Sequence, residues 1–340
     1  MKPEMSHRKL NILIFAIAAS VCIISCKKED ETKATPSLSG ALSFSAPEYV
    51  LPNTTVTMTP SGVTHPKDKG LGYYWKVTPT KPKADTTRYE NGLDKNGKPS
   101  DGSFTFTFSD TLQTCKISGY AFATGYSYLS KSLNCTVVKG GINGSITNLG
   151  LADKASITVD GIVYPYVNIA GLDWLCRNIA DPSAGAPYRN NEVMGDVFGR
   201  YYSFEEAQSI CPEGWRLPTD AEWLAAAKEY DDKMAALMGN AYFNGELMWE
   251  YWPAVGDITN ASGLSMIPAG FAMLASKNSD GYYSNANFEG LNEYAAFWTA
   301  DTVKDETGMA YYRYVFCEQP EFQLGKVDAK TFGANVRCVR

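Results

Sequence analysis

The segment from about residue 244 to residue 296 carries the residue types best suited to binding chemistry. It interleaves aromatic side chains with amides and carboxylates. Aromatic faces cover the carbon–hydrogen surface of a pyranose ring while amides and carboxylates bind its hydroxyls, so this mixture favours sugar recognition. The residues predicted to contact a ligand are Trp249, Tyr251, Trp252, Asp280, Tyr282, Asn285, Asn287 and Glu293. The alternative interpretation is that the Asn and Asp residues form turns over buried aromatic rings.

The sequence offers few groups for catalysis. The chain has 2 histidines, His7 and His65. His7 lies at the N-terminus, in a segment that we expect to be removed, and His65 lies in a stretch rich in Gly, Thr, Pro and Lys that is typical of an exposed loop. A mechanism that needs two histidines is therefore excluded. We expect no enzymatic activity and name no catalytic residue.

The first residues are typical of an export signal. Basic residues at positions 2, 8 and 9 precede a largely apolar run from Ile12 to Ile24 that is too short for a stable membrane span. The run ends at Ser25-Cys26, which resembles a bacterial lipobox, where the cysteine is acylated and becomes the new N-terminus. Residues 1–25 are predicted to be a cleaved signal peptide and Cys26 to be the site of lipidation.

The residues after Cys26 are charged and contain almost nothing apolar, so residues 26–40 are predicted to be a tether. The run Lys27-Lys28-Glu29-Asp30-Glu31 resembles the signal that routes lipoproteins of Bacteroidetes to the outer cell face. We therefore expect an outer-membrane lipoprotein that faces the cell exterior. The formal net charge of the whole chain is −6, which argues against a nucleic-acid partner.

Residues 41–138 show short alternating runs without a helical period, which predicts an all-β sandwich. In the run Ser103 to Phe108 the three phenylalanines alternate with hydroxyl residues, so they are expected on one buried face of a strand. Trp75, in its Tyr-Tyr-Trp-Lys-Val run, resembles the core tryptophan of immunoglobulin-like and polycystic-kidney-disease-like modules. The resemblance implies an immunoglobulin-like fold for this unit.

Six cysteines follow Cys26, an even number that favours disulfides in an exported chain and that does not by itself choose the pairs. Cys115 and Cys135 are equidistant from Gly125, the predicted tip of a hairpin. We therefore expect a cross-strand disulfide between them.

Residues 145–340 have a different, mixed pattern that follows the glycine-rich break at residues 139–144. Asp160-Gly161 between two β-rich runs predicts a hairpin. Ser203 to Glu206 and Thr219 to Glu222 are capping boxes, which predict the start of two helices. The first helix is expected to end near Cys211-Pro212 and the second near Tyr230.

This C-terminal unit resembles the Fibrobacter succinogenes major paralogous domain. The resemblance is carried by Val159-Asp160-Gly161, Trp174, Asn178, Gly199-Arg200-Tyr201-Tyr202, Cys211-Pro212-Glu213-Gly214-Trp215-Arg216-Leu217-Pro218-Thr219 and Val336-Arg337-Cys338-Val339. The family is similar to the C-type lectin-like fold, so the resemblance implies an α+β, C-type lectin-like domain. It also implies a disulfide between Cys211 and Cys338, which leaves Cys176 with Cys317.

The expected protein is thus multidomain, with an immunoglobulin-like sandwich that presents a C-type lectin-like head for adhesion or glycan binding. A calcium ion needs roughly six to eight oxygen ligands, and Asp280, Asn285, Asn287 and Glu293 could supply some of them. The Glu-Pro-Asn and Trp-Asn-Asp signatures of calcium-dependent lectins are absent, however, so no cofactor is predicted.

The expected partners are the membrane, through the lipid anchor, and a glycan or a surface protein. The runner-up function is a structural component of the cell envelope or a surface appendage that binds proteins, and the least favoured is an exported enzyme.

Overall fold

A computed structural model of the chain describes residues 34–91, 100–249, 257–319 and 321–340. The predicted signal peptide, the lipidation site Cys26 and the first part of the tether lie outside the described residues. The protein is mostly β-strand, arranged in many small sheets. In the described part of the chain, no helix is long and apolar enough to span a membrane.

The N-terminal unit contains strands only among its described residues. They are β1 (Ser39–Ser43), β2 (Tyr49–Val50), β3 (Thr55–Met58), β4 (Ser61–Thr64), β5 (Gly72–Lys81), β6 (Thr87–Asn91), β7 (Phe104–Thr107), β8 (Thr114–Phe122) and β9 (Leu129–Val137). The largest sheet has the order β2-β9-β8-β5-β6, and β1 pairs with β4 and β3 with β7. Because β1 begins at Ser39 and Leu38 is buried, the folded unit starts slightly before residue 41.

The core of this unit lies between the five-stranded sheet and the β3–β7 pair. Trp75 on β5 is 1% exposed and stacks on Phe104 of β7, with ring centroids 5.4 Å apart. Phe106 and Phe108 follow Phe104 in the same apolar cluster, as the alternation with hydroxyl residues predicts. Thr55 and Thr57 face the other side, where they share hydrogen bonds with the threonines of β7.

The C-terminal unit mixes short strands with short helices. Its strands are β10 (Ile146–Thr147), β11 (Ser156–Val159), β12 (Ile162–Ile169), β13 (Leu172–Leu175), β14 (Ala186–Pro187), β15 (Arg200–Tyr201), β16 (Tyr242–Phe243), β17 (Glu246–Leu247), β18 (Phe271–Met273), β19 (Asn287–Glu289), β20 (Tyr294–Thr302), β21 (Met309–Phe316), β22 (Gln323–Asp328) and β23 (Phe332–Gly333). Its α-helices are α1 (Gly195–Phe198), α2 (Phe204–Ala207) and α3 (Asp220–Lys228), and 3₁₀ turns cover Tyr188–Asn190, Glu192–Met194 and Met234–Ala236.

The hairpin and the two helix starts predicted for this unit are confirmed. β11 and β12 form an antiparallel hairpin around Asp160 and Gly161, which both have positive φ, as a tight two-residue turn requires. Both capping boxes are present, with Ser203 and Glu206 at α2 and Thr219 and Glu222 at α3. Both helices end before the predicted residues, α2 at Ala207 and α3 at Lys228.

The last strand segment connects several parts of the C-terminal unit. The Cys338 carbonyl accepts from the Leu175 amide, and Val339 exchanges backbone hydrogen bonds with Arg216. The disulfide between Cys211 and Cys338, with α-carbons 5.8 Å apart, is confirmed. The cysteine-rich motif around residue 211 is therefore a structural element that attaches the α2–α3 region to the C-terminal segment.

The predicted bond between Cys115 and Cys135 is wrong, since both are free buried thiols. The two residues are direct partners in the β8–β9 ladder. The Val137 amide donates to the Gln113 carbonyl, so Gln113 and Val137 form a hydrogen-bonded pair of the ladder. In an antiparallel ladder hydrogen-bonded and non-hydrogen-bonded pairs alternate, so Cys115 and Cys135, two residues further along, form a hydrogen-bonded pair as well. At such positions the β-carbons stand about 5.5 Å apart, whereas a disulfide needs about 3.5–4.5 Å.

The predicted bond between Cys176 and Cys317 is also wrong, because Cys176 carries a free thiol. Cys176 packs in the core cluster that contains Val197 and Phe198. Cys317 belongs to a different cluster, around Trp223. Pairing by elimination takes no account of distance, and only a fold brings two α-carbons close enough to bond.

The two units meet along a junction with shared contacts. The Asn191 side chain donates to the Tyr49 carbonyl at 3.1 Å, and the Asn244 side chain donates to the Val137 carbonyl at 2.9 Å. Val138, at the end of the N-terminal unit, is fully buried in a core cluster of the C-terminal unit. The glycine-rich segment after it is closed by the Ser145 amide, which donates to the Lys139 carbonyl at 2.7 Å.

Candidate functional site

An open groove lies on the C-terminal unit between the start of α2 and the chain that follows β18. Its volume is about 900 Å³. We call it the Glu206 groove, because this carboxylate is the centre of its hydrogen bonds. The groove is lined by Ser203, Glu205, Glu206, Ser209, Leu274, Ala275, Ser276, Lys277, Tyr283, Lys330 and Thr331.

The Glu206 side chain is only 9% exposed and is fully occupied by donors. Its Oε1 accepts from Lys277 Nζ at 2.7 Å and from the Gly185 amide at 3.2 Å. Its Oε2 accepts from the Ser203 amide at 2.9 Å and from the Tyr283 hydroxyl at 3.3 Å. Burial alone would raise the pKa of Glu206, but the hydrogen bonds from Lys277 and the backbone amides lower it overall. Glu206 is therefore a bound, ionised carboxylate.

Lys277 and Tyr283 form one wall of the groove. Lys277 Nζ lies 5.2 Å from the centre of the Tyr283 ring, within the range of a cation–π contact. The hydrogen bond to Glu206 raises the pKa of Lys277, and burial raises the pKa of Tyr283. The Lys277 side chain is still 41% exposed, so its cation remains open to solvent on one side.

A small hairpin rises next to this wall and presents two of the predicted residues. Lys277 and Tyr283 pair across it, and the Asn278 side chain accepts from the amides of Asp280 and Tyr282 at 3.0 and 2.9 Å. This Asx turn fixes the tip. Asp280 is exposed and Tyr282 is 48% exposed, so a carboxylate and an aromatic face are displayed beside the groove.

Other predicted residues lie further along the same segment. Asn285, Asn287 and Glu293 are all exposed. Asn287 lies on β19 and donates to the Glu289 carboxylate at 3.0 Å. Glu293 follows the turn after β19, where its carbonyl accepts from the Cys317 amide.

Of the predicted aromatic residues before this segment, Trp249 does not line the groove. Trp249 is 2% exposed, and its indole nitrogen donates to the Gly239 carbonyl at 3.0 Å inside the core. Tyr251 and Trp252 lie outside the described residues. Trp249 thus fits the alternative interpretation, in which an aromatic ring of this segment is buried.

Sequence reasoning missed most of the groove. Glu206 was assigned only to a capping box, and its ion pair with Lys277, 71 positions later, leaves no local signal. Lys330 and Thr331 come from the far C-terminal part of the chain. Such residues meet only after the sheets have packed, so spacing along the chain cannot find them.

Another, smaller cavity of about 30 Å³ lies in the same unit, and Cys176, Asn178 and Arg337 are among its lining residues. Burial raises the pKa of the Cys176 thiol to about 11, although Arg337 opposes this shift. A thiol with so high a pKa is a weak nucleophile at neutral pH. Among residues 34–91, 100–249, 257–319 and 321–340, no three His, Cys, Asp or Glu side chains are arranged to hold a metal ion.

The fold and the groove define a β-rich protein with a disulfide-bonded C-terminal unit. The sequence model of the Fibrobacter succinogenes major domain matches residues 167–340, half of the chain, and the chain belongs to this family. The match contains the groove, the hairpin tip and the Cys211–Cys338 disulfide. No curated protein matches the sequence.

Proposed function

We propose that the protein is a non-catalytic binding protein of the cell surface, whose C-terminal unit captures glycans on the Glu206 groove and the adjacent hairpin. The observation that carries the proposal is the exposed Tyr282 ring beside the Lys277–Tyr283 wall. A flat aromatic face next to a cation, a carboxylate and several hydroxyl groups matches the mixed polarity of a sugar.

The protonation states in the groove favour binding over proton transfer. A general base at neutral pH needs a raised carboxylate pKa, whereas the pKa of Glu206 is lowered by its donors. Its role in this proposal is to hold Lys277 in place at 2.7 Å. Lys277 and Lys330 then donate hydrogen bonds to sugar hydroxyls, and the Asp280 carboxylate accepts them.

The proposal also includes the fold of this unit and its position at the cell surface. A C-type lectin-like fold would place variable loops such as residues 274–287 at the binding surface, and the Cys211–Cys338 disulfide that this resemblance implied supports the assignment. A lipid on Cys26 would attach the chain to the outer membrane, and the N-terminal β unit, which we propose to be immunoglobulin-like, would hold the groove away from it.

Binding of the purified full chain to an array of immobilised neutral oligosaccharides, with calcium and with chelator, tests the proposal. We expect a defined set of sugars to bind and Tyr282→Ala to weaken this binding about tenfold, which corresponds to the loss of one aromatic contact. Leu324→Ala is the matched control, because Leu324 is an apolar residue of the same unit with a similar exposure, 45%, and does not line the groove.

Absence of sugar binding under both conditions would contradict the proposal. Capture of one defined envelope protein, lost in Tyr282→Ala but not in Leu324→Ala, would replace it with the protein-binding alternative. Equal loss of sugar binding in both variants would show that the hairpin is not the site. Because the array holds neutral sugars only, it tests the groove separately from the cationic surface described next.

A further inference from the structure

The outer face of the five-stranded sheet carries a row of aromatic rings, two of them half-buried and two exposed. Tyr74 on β5 lies directly opposite Tyr120 on β8, and both point away from the core, because their neighbours Trp75 and Ala121 point into it. Phe122 and Tyr128 extend the row at the same end of the sheet and are 39% and 59% exposed. We call Tyr74, Tyr120, Phe122 and Tyr128 the aromatic platform.

The platform is a packed, preformed surface. The rings of Tyr74 and Tyr120 stack with centroids 4.4 Å apart and planes 6° apart. Tyr128 meets Tyr120 edge-on at 5.6 Å, and Phe122 meets Tyr74 at 5.8 Å. Clustered exposed rings are unusual on a soluble protein and mark interaction sites. Because the rings already support one another, a ligand would find them in place and would lose little side-chain entropy on binding.

Cations surround the rings. The Arg88 guanidinium lies over the Tyr74 ring at 3.9 Å, and Lys76 Nζ lies 5.3 Å from the Tyr120 ring centre. Arg88 and Lys76 are partners in the β5–β6 ladder, and Lys116 is exposed on the next row of the same face, opposite Thr78. Among the described residues of this face, Arg88 is paired with the carboxylate of Glu90, and neither lysine forms an ion pair. The face is therefore cationic on a chain whose net charge is −6.

Small polar groups complete the surface. Ser132 is exposed on β9, its hydroxyl 2.8 Å from that of the buried Ser118 on β8, and Asn134 is exposed opposite Lys116. The face thus runs from stacked rings at one end to cations, hydroxyls and an amide at the other. Pyranose rings with negatively charged substituents need this combination, because their apolar faces stack on aromatic rings and their carboxylates pair with cations.

We propose that the aromatic platform and the adjacent Lys76 and Lys116 bind an anionic polysaccharide built from uronic acids. A sugar ring stacks on the exposed ring of Tyr128, close to Phe122, and carboxylates of the polymer contact the two lysines. A second copy of this chain fits the face less well. An isologous contact would bring the same patch onto itself, so that the cations of both copies would face one another.

The experiment compares polygalacturonate with the same polymer after chemical reduction of its carboxyl groups, using the purified full chain and titration calorimetry. We expect polygalacturonate to bind, its affinity to fall as salt rises, and the reduced polymer to bind at least tenfold more weakly. Tyr128→Ala should weaken binding about tenfold through lost stacking. Lys76→Gln with Lys116→Gln should weaken it and flatten its dependence on salt.

Matched controls separate this site from the Glu206 groove and from loss of folding. Tyr282→Ala and Lys304→Gln, at exposed positions of the C-terminal unit, should leave polygalacturonate binding unchanged. Tyr120→Phe keeps the ring and should bind like the native protein. No binding, or binding that neither the tyrosine nor the lysine variants reduce, overturns the proposal. The proposal is also overturned if analytical ultracentrifugation shows a dimer that the Tyr128→Glu variant does not form, since the face would then join two copies of the chain.

Discussion

Arg337 Nε donates a hydrogen bond to Asn178 Oδ1 at 2.7 Å, and this pair connects the C-terminal segment to the chain after β13. Arg337 is 1% exposed. Its terminal guanidinium nitrogens donate to the carbonyls of Leu175, Leu264 and Ser265 at 3.1 Å or less. Burial lowers the pKa of Arg337 to about 9, so the side chain stays protonated at neutral pH. The buried charge is solvated by oxygen dipoles of the protein.

Asn178→Ala should lower the free energy of unfolding by about 3 kcal/mol, because it leaves a donor of a buried cation unsatisfied. It also removes the bond from Asn178 to the Phe198 carbonyl. Urea denaturation followed by tryptophan fluorescence measures the change. Asn168→Ala, at an exposed amide, is the control and should change stability by less than about 0.5 kcal/mol. Equal midpoints for the two variants would show that the buried pair contributes nothing specific.

Loss of the disulfide should have a large effect. Cys211 and Cys338 are 127 positions apart, so their bond closes a long loop of the unfolded chain. The double variant Cys211→Ala with Cys338→Ala should lose about 5 kcal/mol of unfolding free energy on the chain-entropy account. Treatment of the native protein with dithiothreitol should lower its melting temperature and leave that of the double variant unchanged. A native protein that does not respond to full reduction would contradict this expectation.

The buried thiols should be protected from alkylation in the folded state. Cys115, Cys135 and Cys176 are each 1% exposed or less, and burial raises the pKa of Cys135 to about 12. Iodoacetamide at pH 8 should therefore leave all three unmodified in the native protein and modify them in urea. Peptide mass spectrometry reads the outcome, with Cys211 and Cys338 as an internal control that is alkylated only after reduction. Rapid labelling of Cys115 in the folded protein would contradict the described burial.

Acid should weaken the start of α3. The hydrogen bond from Arg216 to Glu222 at 2.6 Å, together with the Thr219 amide, lowers the pKa of Glu222 from 4.5 to about 2. Because the unfolded chain takes up this proton at higher pH, the stabilisation is complete above about pH 4.5 and is lost as the pH falls toward 2. Glu222→Gln should therefore destabilise the protein at pH 6 and have a smaller effect at pH 3.

Melting temperatures measured from pH 6 to pH 3 test this dependence. Glu213→Gln, an exposed glutamate of the same region, provides the comparison and should shift the melting temperature little at either pH. If the difference between native protein and Glu222→Gln grew as the pH fell, the assigned direction of the pKa shift would be wrong.

Local features of the fold were predictable because their causes lie within a few residues. The Asp160-Gly161 turn, the two capping boxes and the alternating phenylalanines each depend on backbone geometry or periodicity over short spans. The bond from Cys211 to Cys338 was anticipated in another way, through the resemblance to a family. The export signal, the lipid on Cys26 and the choice of ligand stay predictions.

Long-range relationships were not predictable from spacing. Cys115 and Cys135 were rightly placed opposite each other, but whether their β-carbons converge depends on which positions of the ladder carry hydrogen bonds. Tyr74 and Tyr120, 46 positions apart, stack only because β5 pairs with β8 in one register. A shift by one residue would turn one of these rings into the core.

The sequence by itself determined the turns, the helix starts, the buried faces of strands and the family, since these follow from the side chains of neighbouring residues. Only the tertiary structure decided which thiols bond, that Glu206 holds Lys277 at the groove, and that four aromatic rings form one surface. The physical reason is that such contacts depend on how sheets pack and register, and packing is the sum of many weak interactions along the whole chain.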